Sequence, residues 1–536
     1  MEATALSLLK RYNKLKAQRG NWETLWDEVA TYVLPNKADF ISERAKGEKR
    51  GTEVYDSTAI QSNQLLAASL QGSLIPANTR WFDLRFRSDA LNDNQEASGW
   101  LQECAERMNT EFNQSNLNTE SGETFQDLGS FGTAPLLFDI ITKDDGSFGG
   151  FNFQSLHLGG VILDVNNKGK VDTVFRKFTY TARQALQEFG DDVGEKITKE
   201  AAENPDKPFD FLQVIMPRKL KAEPEFNAPP KMRKFACHYI NIAEKLLVKE
   251  TGYYELPILA PRWGKITGDI YGFSPALTAR ADIKTLNEAR RLSLTAWEKS
   301  IDPPLLAERN AIMGKFSFKA SSVNYVKDIN GFREMPQATN WNADQLMLQD
   351  VRTSVRRIFF ADQLELQEGP NMTATEVEVR YELMQRMLGS TFGRLQSEFL
   401  TPLVERAFYA MLRNNALPQP PEVVLQEGGD LDIEYIGALA RSQRMEDVTN
   451  IQRLAQSVLE LSQVSPEVLD KFNADEALDT IAKRLGVPAD IVNSDDAVQQ
   501  IRQRRQQAQA QEQAAIEDQQ GLNAAEQMAG IQQMTQ

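Results

Sequence analysis

Cysteine and histidine are scarce in this sequence. Its 536 residues include two cysteines, Cys104 and Cys237, and two histidines, His157 and His238. So few cysteines exclude a disulfide-stapled secreted scaffold and indicate synthesis in a reducing compartment, the cytoplasm of the producing cell. No His or Cys pair has the spacing of a zinc site, so the sequence predicts no metal.

Long apolar runs are missing too. The longest, 134–141, is interrupted by Asp139, and 1–12 lacks the apolar segment of a signal peptide. The sequence therefore predicts neither a membrane span nor a membrane partner. Walker A, Gly-x-Gly-x-x-Gly and Gly-x-Ser-x-Gly patterns are also absent, so it predicts no cofactor.

Positive charge is in deficit. The chain has 75 acidic against 60 basic residues, a net charge of −15. This argues against a general nucleic-acid binder, which normally has a basic surplus. It leaves open a protein past which nucleic acid slides, because such a contact releases few counterions.

Candidate catalytic groups are weak. Cys237 and His238 are adjacent, but neighbours in a strand point to opposite faces, which disfavours a nucleophile–base pair. The acidic doublets at 144–145, 191–192 and 495–496 fit turns and helix starts better than metal sites. The sequence predicts no catalytic residue and no enzyme.

The first quarter of the chain predicts helices with one strand. Apolar residues recur at helical spacing from Leu6 to Val33, and Pro35 ends the run. Ser57 is the expected N-cap of a second helix over 57–74. We also expect a strand over 81–87 and a helix over 99–117.

Between 134 and 265 the apolar period changes to two, which is typical of strands. A short helix over 181–190 interrupts them. Together with the preceding helices they predict an α+β body. The predicted strands cover 136–141, 148–156, 161–165, 171–178, 209–216 and 235–242.

Two long helices of matched length follow. Ser274-Pro275 opens the first, which ends at Ile301, because proline suits the first helical position. A partly β segment over 305–340 separates it from a second helix over 342–367. Each helix is about 40 Å long, so we expect an antiparallel pair with a small lobe at its far end.

A third long helix is predicted after Gly369-Pro370. Thr373 and Glu376 form a capping box at its start, and it extends to about Asn414. Pro402 lies inside it, so we expect either a kink near Phe399 or two helices that meet at Pro402.

The last part of the chain predicts one strand and several helices. The strand covers 431–436, and Asn473 is the expected N-cap of the last compact helix. The Gln/Ala-rich tail over 495–536 predicts an exposed helix that frays or packs against copies of itself. The other helices are expected over 442–462, 466–472 and 474–485.

The order of these elements resembles the portal fold of tailed bacteriophages. Three blocks carry a closer resemblance to the head-to-tail connectors of T7-like short-tailed phages. They are the block that begins Asp56-Ser57-Thr58-Ala59-Ile60 and ends Trp81-Phe82-Asp83-Leu84, the lead Tyr271-Gly272-Phe273-Ser274-Pro275, and the block from Met372-Thr373-Ala374-Thr375-Glu376 to Pro402-Leu403-Val404. The resemblance covers 1–490.

This resemblance implies a mainly helical α+β portal fold with wing, stem, clip and crown, assembled into a ring that is a dodecamer in this family. The tail is expected to form a barrel of helices or to stay disordered. The implied divisions are wing 1–273, stem helices 274–301 and 342–367, clip 302–341, tunnel loop 368–372, long kinked helix and wing return 373–439, crown 440–490 and tail 491–536.

It further implies a conduit at one capsid vertex, the head–tail junction of the virion, through which double-stranded DNA is packaged and ejected. The expected partners are the terminase large subunit, a tail adaptor protein, the major capsid and scaffolding proteins, and internal core proteins. A role in starting capsid assembly is also expected. ATP hydrolysis belongs to the separate motor.

Site residues follow from the same resemblance. The tunnel loop corresponds to Glu368, Gly369, Pro370, Asn371 and Met372. Met372 either contacts DNA or forms a hydrophobic staple beside the Thr373 cap. The clip residues expected to dock the motor or adaptor are Arg309, Lys315, Lys319, Lys327 and Arg333.

Three arginines on the second stem helix are candidate contacts to DNA phosphates. Arg352, Arg356 and Arg357 fall at i, i+4 and i+5. The alternative is a solvated face or salt bridges between subunits, and we favour that alternative.

Two other classes of function remain open. An adaptor or scaffold-like structural protein would need no channel, and would not need the stem–clip–stem order followed by a glycine loop. A metal-dependent nuclease would need a cluster of carboxylates, which the order of residues does not provide.

Overall fold

The computed structural model describes residues 2–42, 47–77, 80–220, 225–301, 305–307, 332–334, 341–364, 388–427, 431–435, 438–462, 467, 471–485 and 498–508. The chain divides into two compact units. The body comprises Met1–Trp81 and Cys104–Gln419, and the second unit comprises Phe82–Glu103 and Pro420–Gln536. Among the described helices, none is long and apolar enough to cross a bilayer.

The helices and strands are numbered in chain order. The helices are α1 Glu2–Val33, α2 Thr58–Leu74, α3 Asp89–Asp93, α4 Gln95–Gln114, α5 Leu117–Phe131, α6 Ala182–Phe189, α7 Glu195–Glu203, α8 Pro275–Ile301, α9 Trp341–Ile358, α10 Ala361–Leu364, α11 described over 388–395, α12 Thr401–Arg413, α13 Glu422–Glu427, α14 Ala438–Ser462, α15 Ala474–Leu485 and α16 described over 498–508. The strands are β1 Phe82–Phe86, β2 Leu136–Thr142, β3 Phe148–Ser155, β4 Val161–Val165, β5 Val171–Thr181, β6 Pro208–Pro217, β7 Phe235–Asn241, β8 Leu246–Tyr253, β9 Ile258–Leu259, β10 Gly264–Lys265, β11 Gly272–Phe273, β12 Leu305–Ala307, β13 Phe332–Glu334 and β14 Leu431–Tyr435.

A five-stranded antiparallel sheet, β4-β5-β6-β7-β8, dominates the body. Alternate residues along a strand point to opposite faces, so the sheet contributes to two cores. The core under α1 contains Ala5, Leu8, Tyr12, Ile162, Phe175, Leu212, Val214 and Ile240. The core on the opposite face, under α6 and α7, contains Ala182, Ala185, Phe189, Val193, Ile197, Phe211 and Val248.

Side chains hydrogen-bond to the edges of the body's sheets. At the outer edge of β3, the Asn116 amide accepts from Phe153 N and donates to Phe153 O, both at 2.8 Å. At the outer edge of β4, Arg19 donates to Val161 O at 2.5 Å. Arg218 donates to a carbonyl of β8 in the same way. These contacts occupy backbone groups that an added strand would need.

Helix α5 was not predicted. Phe125, Leu128 and Phe131 are inaccessible to solvent, but so are the polar residues Ser121 and Thr124, so the buried side of this helix is not an apolar stripe that periodicity could reveal. A Cβ on Gly129 would collide with the Asn63 carboxamide oxygen of α2. The helix ends at Gly132 in the left-handed region, φ 77°.

The predicted first helix is confirmed as α1, but the apolar residue that begins the predicted pattern, Leu6, is not buried. Leu6 is 37% exposed, whereas Ala5 and Leu8 are buried.

The cap of α2 also differs from the prediction. Ser57 makes no side-chain capping bond, and Asp56 Oδ1 accepts from Thr58 N at 3.0 Å instead.

The first long helix of the predicted pair is confirmed as α8. Ser274 Oγ accepts from Leu277 N at 3.0 Å, which caps the helix. Ser354 of α9 bonds Asp282 of α8 at 2.8 Å, and farther along the chain β12 pairs antiparallel with β13. From the first contact to the second, the residue number rises from 282 to 305 on one side and falls from 354 to 334 on the other. The two helices are therefore antiparallel, as predicted.

The prediction of one unbroken second helix over 342–367 was wrong. Helix α9 ends at Ile358, Phe360 has φ 60°, and α10 begins at Ala361. No glycine or proline lies between 341 and 364, so local sequence gives no warning of the break. Phe359 is fully buried at this point, which shows that packing decides it.

The third long helix is continuous through Pro402. A π-helical turn over Gln396–Leu400 joins α11 to α12, and the flanking residue Thr401 keeps right-handed helical angles. The irregularity predicted near Phe399 therefore lies inside one helix, and the alternative of two helices meeting at Pro402 was wrong. Proline has no N–H to donate to the preceding turn, which favours such a change in pitch. The capping box Thr373–Glu376 lies outside the described residues.

The second unit is built on the antiparallel pair β1–β14, whose register joins Phe82 to Tyr435. Both strands were predicted. Asn473 Oδ1 accepts from Glu476 N at 3.3 Å, which confirms the cap of α15. Helix α14 begins four residues before the predicted start, and α16 confirms a helix in the first part of the tail. Most of the predicted helix over 466–472 lies outside the described residues.

The sequence also missed α7, β8 and the three two-residue strands β9, β10 and β11 of the body. The remaining predicted strands are confirmed with shifts of up to three residues at their ends. Thr181 and Gln184 form a complete capping box at the start of α6, in the segment predicted as a short helix.

Candidate functional site

The antiparallel pair α8–α9 is held to the body by a short segment before α2. Asn287 of α8 accepts from Tyr55 N at 2.7 Å and from Asp56 N at 3.3 Å, and it donates to Glu53 O at 2.8 Å. Because one amide satisfies three backbone groups, the segment has a fixed position against α8.

Asp56 completes this junction by pairing with α9. Arg352 Nη2 and Nε lie 2.6 and 3.0 Å from Asp56 Oδ2. Burial acts to raise the pKa of Asp56, but the hydrogen bonds from Thr58 and Arg352 outweigh it and hold the pKa below its usual value. The carboxylate is therefore ionised at neutral pH and links α2 to α9.

The three candidate phosphate contacts have different surroundings. Arg352 is paired with Asp56, and Arg356 Nε bonds Asp362 Oδ1 at 2.7 Å. Arg357 is exposed. Two of the three thus form salt bridges within one chain, which the sequence did not predict, and the favoured interpretation of salt bridges between subunits stays a prediction. Contact of any of them with DNA stays a prediction.

Of the other predicted site residues, only Arg333 lies on a described element. Glu368, Gly369, Pro370, Asn371 and Met372 lie outside the described residues, as do Arg309, Lys315, Lys319 and Lys327. Arg333 lies in β13 opposite Leu306, and its side chain is outside the description. Their assignment to tunnel loop and clip stays a prediction.

The π-helical turn presents Glu398 to a buried arginine. Arg262 Nε and Nη2 lie 3.0 and 2.5 Å from the two Glu398 oxygens, and the backbone N–H of Arg262 donates to Oε2 at 3.1 Å. Arg394, one turn earlier, donates to Trp263 O at 2.5 Å. The turn is thereby fixed to the segment before β10.

Helix α12 is fixed farther along by two more arginines. The buried guanidinium of Arg406 lies 5.2 Å from the Phe138 ring centre and donates to Glu255 O at 3.1 Å. Arg413 Nη2 lies 2.8 Å from Glu255 Oε2. These arginine contacts hold α12 against β2 and the segment that follows β8.

A second polar cluster surrounds Lys37, on the 3₁₀ turn after α1. Its ammonium lies 2.8 Å from both oxygens of Asp127, which is buried on α5. Burial raises the pKa of Asp127 to about 6, although Lys37 opposes the shift. His157 Nδ1 accepts from Gly159 N, and Nε2 lies 2.9 Å from Lys37 O, the arrangement of a neutral imidazole. Burial lowers the pKa of His157 accordingly.

Cys237 and His238 lie side by side on β7. Burial raises the pKa of Cys237 to about 11, so the thiol stays protonated at neutral pH and is a poor nucleophile. Burial lowers the pKa of His238. In the part of the chain that the structure describes, no group of three His, Cys, Asp or Glu residues is arranged to hold a metal ion.

Comparison with known proteins agrees with this architecture. The family described as bacteriophage head to tail connecting protein matches residues 5–492. The chain belongs to this family. The sequence-based prediction of a head-to-tail connector is confirmed, and the matched range contains every described element from α1 to α15 except the first residues of α1.

Two relatives of this connecting protein are similar along almost their whole length. A probable portal protein of Bordetella phage BPP-1 is 30% identical over 549 residues, covering 98% of this chain and 95% of the relative. A portal protein of Salmonella phage epsilon15 is 29% identical over 521 residues, covering 95% and 92%. The connecting protein is thus a phage structural component of the head–tail junction.

Sequence reasoning missed the residues that fix the connecting protein's long helices. Arg262 and Glu398 are 136 positions apart, and Asn287 and Tyr55 are 232 apart. No local pattern joins residues at such separations. The signal that exists is weaker: Asn287 is a polar residue on the otherwise apolar face that includes Ile283 and Leu286.

Proposed function

We propose that this connecting protein closes with copies of itself into a ring of twelve at one capsid vertex, and that double-stranded DNA passes through the axial channel during packaging and ejection. The observation that carries the proposal is the antiparallel pair α8–α9, which leads out to the β12–β13 pair and returns to the body. The portal names of both relatives support it. The proposal includes no catalytic step in this chain.

The proposed divisions follow the same order. Residues 1–273 are the wing, α8 and α9 belong to the stem, and the segment between them is the clip. The clip would meet the terminase large subunit and later the tail adaptor. The wing would contact the capsid and scaffolding proteins, and the crown over 440–490 would face internal core proteins.

Electrostatics support a conduit rather than a clamp. The net charge of −15 opposes tight binding of DNA phosphates, so the duplex can move without releasing many counterions at each step. The ion pairs of Arg352 and Arg356 neutralise two cations of α9 within the chain. Exposed Arg357 is left as the candidate for brief phosphate contact.

Negative-stain electron microscopy with particle mass on the same sample tests the ring. The expected result is closed rings with a central hole wide enough for a duplex and a mass near twelve chains. Monomers or open filaments would overturn the proposal and would favour an adaptor or scaffold-like protein without a channel. A metal-dependent nuclease activity lost on mutating one acidic cluster would overturn the absence of catalysis.

A further inference from the structure

The break between α9 and α10 rests on an unusual residue. Phe360 has φ 60°, in the left-handed region where helices normally end on glycine. The other described non-glycine residues with positive φ are Lys245, in the β7–β8 turn, and Asn415, after α12. Asparagine is well tolerated there, whereas a bulky aromatic residue is strained.

The hydrogen bonds show two helical segments that meet at this residue. Phe360 N donates to Arg357 O at 3.0 Å, which closes α9 with a tightened turn. Gln363 N and Leu364 N both donate to Phe360 O, at 3.1 and 3.2 Å. The Phe360 carbonyl therefore starts α10 afresh, and a change of φ at this one residue would join the two helices.

An ion pair marks the broken form. Arg356 and Asp362, whose side chains meet at 2.7 Å, are six positions apart. In a continuous α-helix, residues six apart are separated by roughly 240° around the axis and about 9 Å along it. Such residues do not face each other, since side chains meet at spacings of three and four. The pair is thus a contact of the broken helix.

We propose that Phe360 is a two-state helix junction, latched in its broken form by Arg356 and Asp362. In the other form Phe360 takes right-handed angles and 341–364 becomes one helix. Strain at Phe360 and the helix-forming sequence around it favour the straight form. The ion pair and the burial of Ala361 favour the broken form, so different contacts favour each of the two forms.

The junction lies at the end of the proposed second stem helix. Straightening changes the direction in which the chain leaves α9 toward the predicted tunnel loop, 368–372. That consequence rests on the proposed ring. The two-state junction does not, because it concerns a distance within one chain.

Spin labels on the full chain measure this distance. Gln345 and Gln363 are exposed, and both native cysteines are buried, so labels at Gln345→Cys and Gln363→Cys report the junction alone. Eighteen residues of continuous helix separate the Cα atoms by about 27 Å, and any break shortens this. Coexpression with an excess of chain that lacks the two introduced cysteines isolates distances within one chain.

Three variants decide the result. In Asp362→Asn the latch is lost, and the share of the separation near 27 Å should at least double. In Phe360→Gly the left-handed region costs nothing, and that share should fall below the wild-type value. Asp350→Asn changes an exposed carboxylate on the same helix and should have no effect.

The proposal of a two-state junction would be overturned if the fraction of molecules with a separation near 27 Å were the same in Asp362→Asn and Asp350→Asn. A rise of this fraction in Phe360→Gly would overturn it too. Particle mass on the same samples keeps the two proposals distinct. Intact rings with an unresponsive distance refute only the junction, whereas a responsive distance in chains that form no ring refutes only the conduit.

Discussion

Arg262 and Glu398 form a bidentate ion pair, with side-chain nitrogen–oxygen distances of 3.0 and 2.5 Å, between the segment before β10 and the π-helical turn of the long helix. Arg262 is 1% exposed and Glu398 is 19% exposed. Because Glu398 also accepts the backbone N–H of Arg262, one carboxylate bonds both the side chain and the main chain of this arginine. The widened helical turn and the buried cation therefore depend on each other.

Glu398→Gln should lower the stability of the body. The substitution keeps the shape of the side chain but leaves a buried guanidinium without its counter-charge, which costs about 3 kcal/mol. Urea unfolding followed by tryptophan fluorescence measures the loss. Glu188→Gln removes a carboxylate from an exposed pair with Lys249 and should cost under about 1 kcal/mol. Equal losses in the two variants would contradict the prediction.

Asp127→Asn should become more favourable, relative to the wild type, as pH rises. The pKa of Asp127 is about 6 in the folded chain against 3.8 when unperturbed, so its contribution to stability is complete below 3.8 and is lost as pH rises through 6. Asparagine does not titrate. The stability difference, variant minus wild type, should therefore increase by about 2 kcal/mol between roughly pH 4.5 and pH 7.5.

Thermal unfolding at a series of pH values measures this difference. The neutral His157 is present in both proteins, so its own titration cancels. Asp144→Asn, at an exposed turn, is the control for loss of a surface carboxylate. A difference for Asp127→Asn that changes with pH no more than the difference for this control would contradict the prediction.

Substitutions of two arginines of α9 should differ in their effect on stability. Arg352→Gln removes the partner of Asp56, whose side chain is largely buried, and should destabilise the chain by about 1 kcal/mol. Arg357→Gln changes an exposed side chain and should stay within about 0.5 kcal/mol of wild type. Melting temperatures of the two single variants distinguish these roles, and a larger shift for Arg357→Gln would reverse the assignment.

Gly129→Ala should destabilise the contact between α2 and α5. The added methyl group would collide with the Asn63 oxygen, at a cost of about 2 kcal/mol. Gly72→Ala, on α2, has open space around the new Cβ and should gain about 0.5 kcal/mol from helix propensity. In a denaturation experiment, the changes in the free energy of unfolding of the two variants should have opposite signs. A gain for both variants would mean that the two helices can move apart freely.

Deletion of 368–371 should leave ring assembly intact and impair DNA packaging or retention. The expectation follows from the position of this segment between two long helices in the sequence. Particle mass checks assembly, and the yield of DNA-filled heads checks packaging. A variant that fails to form rings would argue against a tunnel loop at these residues.

Much of the secondary structure could be predicted because its signals are local. Ser274-Pro275 marks the start of α8 and Thr181 the start of α6, through capping bonds that involve residues three positions apart. Alternating apolar residues likewise identified most strands of the body. Hydrogen bonding and burial within a few residues are enough for such elements.

The features that the sequence did not reveal depend on distant contacts. Helix α5 buries polar residues such as Ser121 and Thr124 beside its apolar ones, so its apolar periodicity is weak. The break at Phe360 occurs among helix-forming residues, beside the buried Phe359. The pairing of Asp56 with Arg352 spans 296 positions. For the site itself, the sequence identified α8 and α9 but not the contacts that fix them.

The side chains that occupy the sheet edges have a consequence for assembly. A protein that must stop at a fixed number of copies is harmed by any contact that repeats without limit, and strand-to-strand joining is such a contact. With Asn116 holding both backbone groups of Phe153, a neighbouring molecule finds fewer free backbone groups to pair with along β3. The folded chain thus resists open-ended polymerisation through that edge.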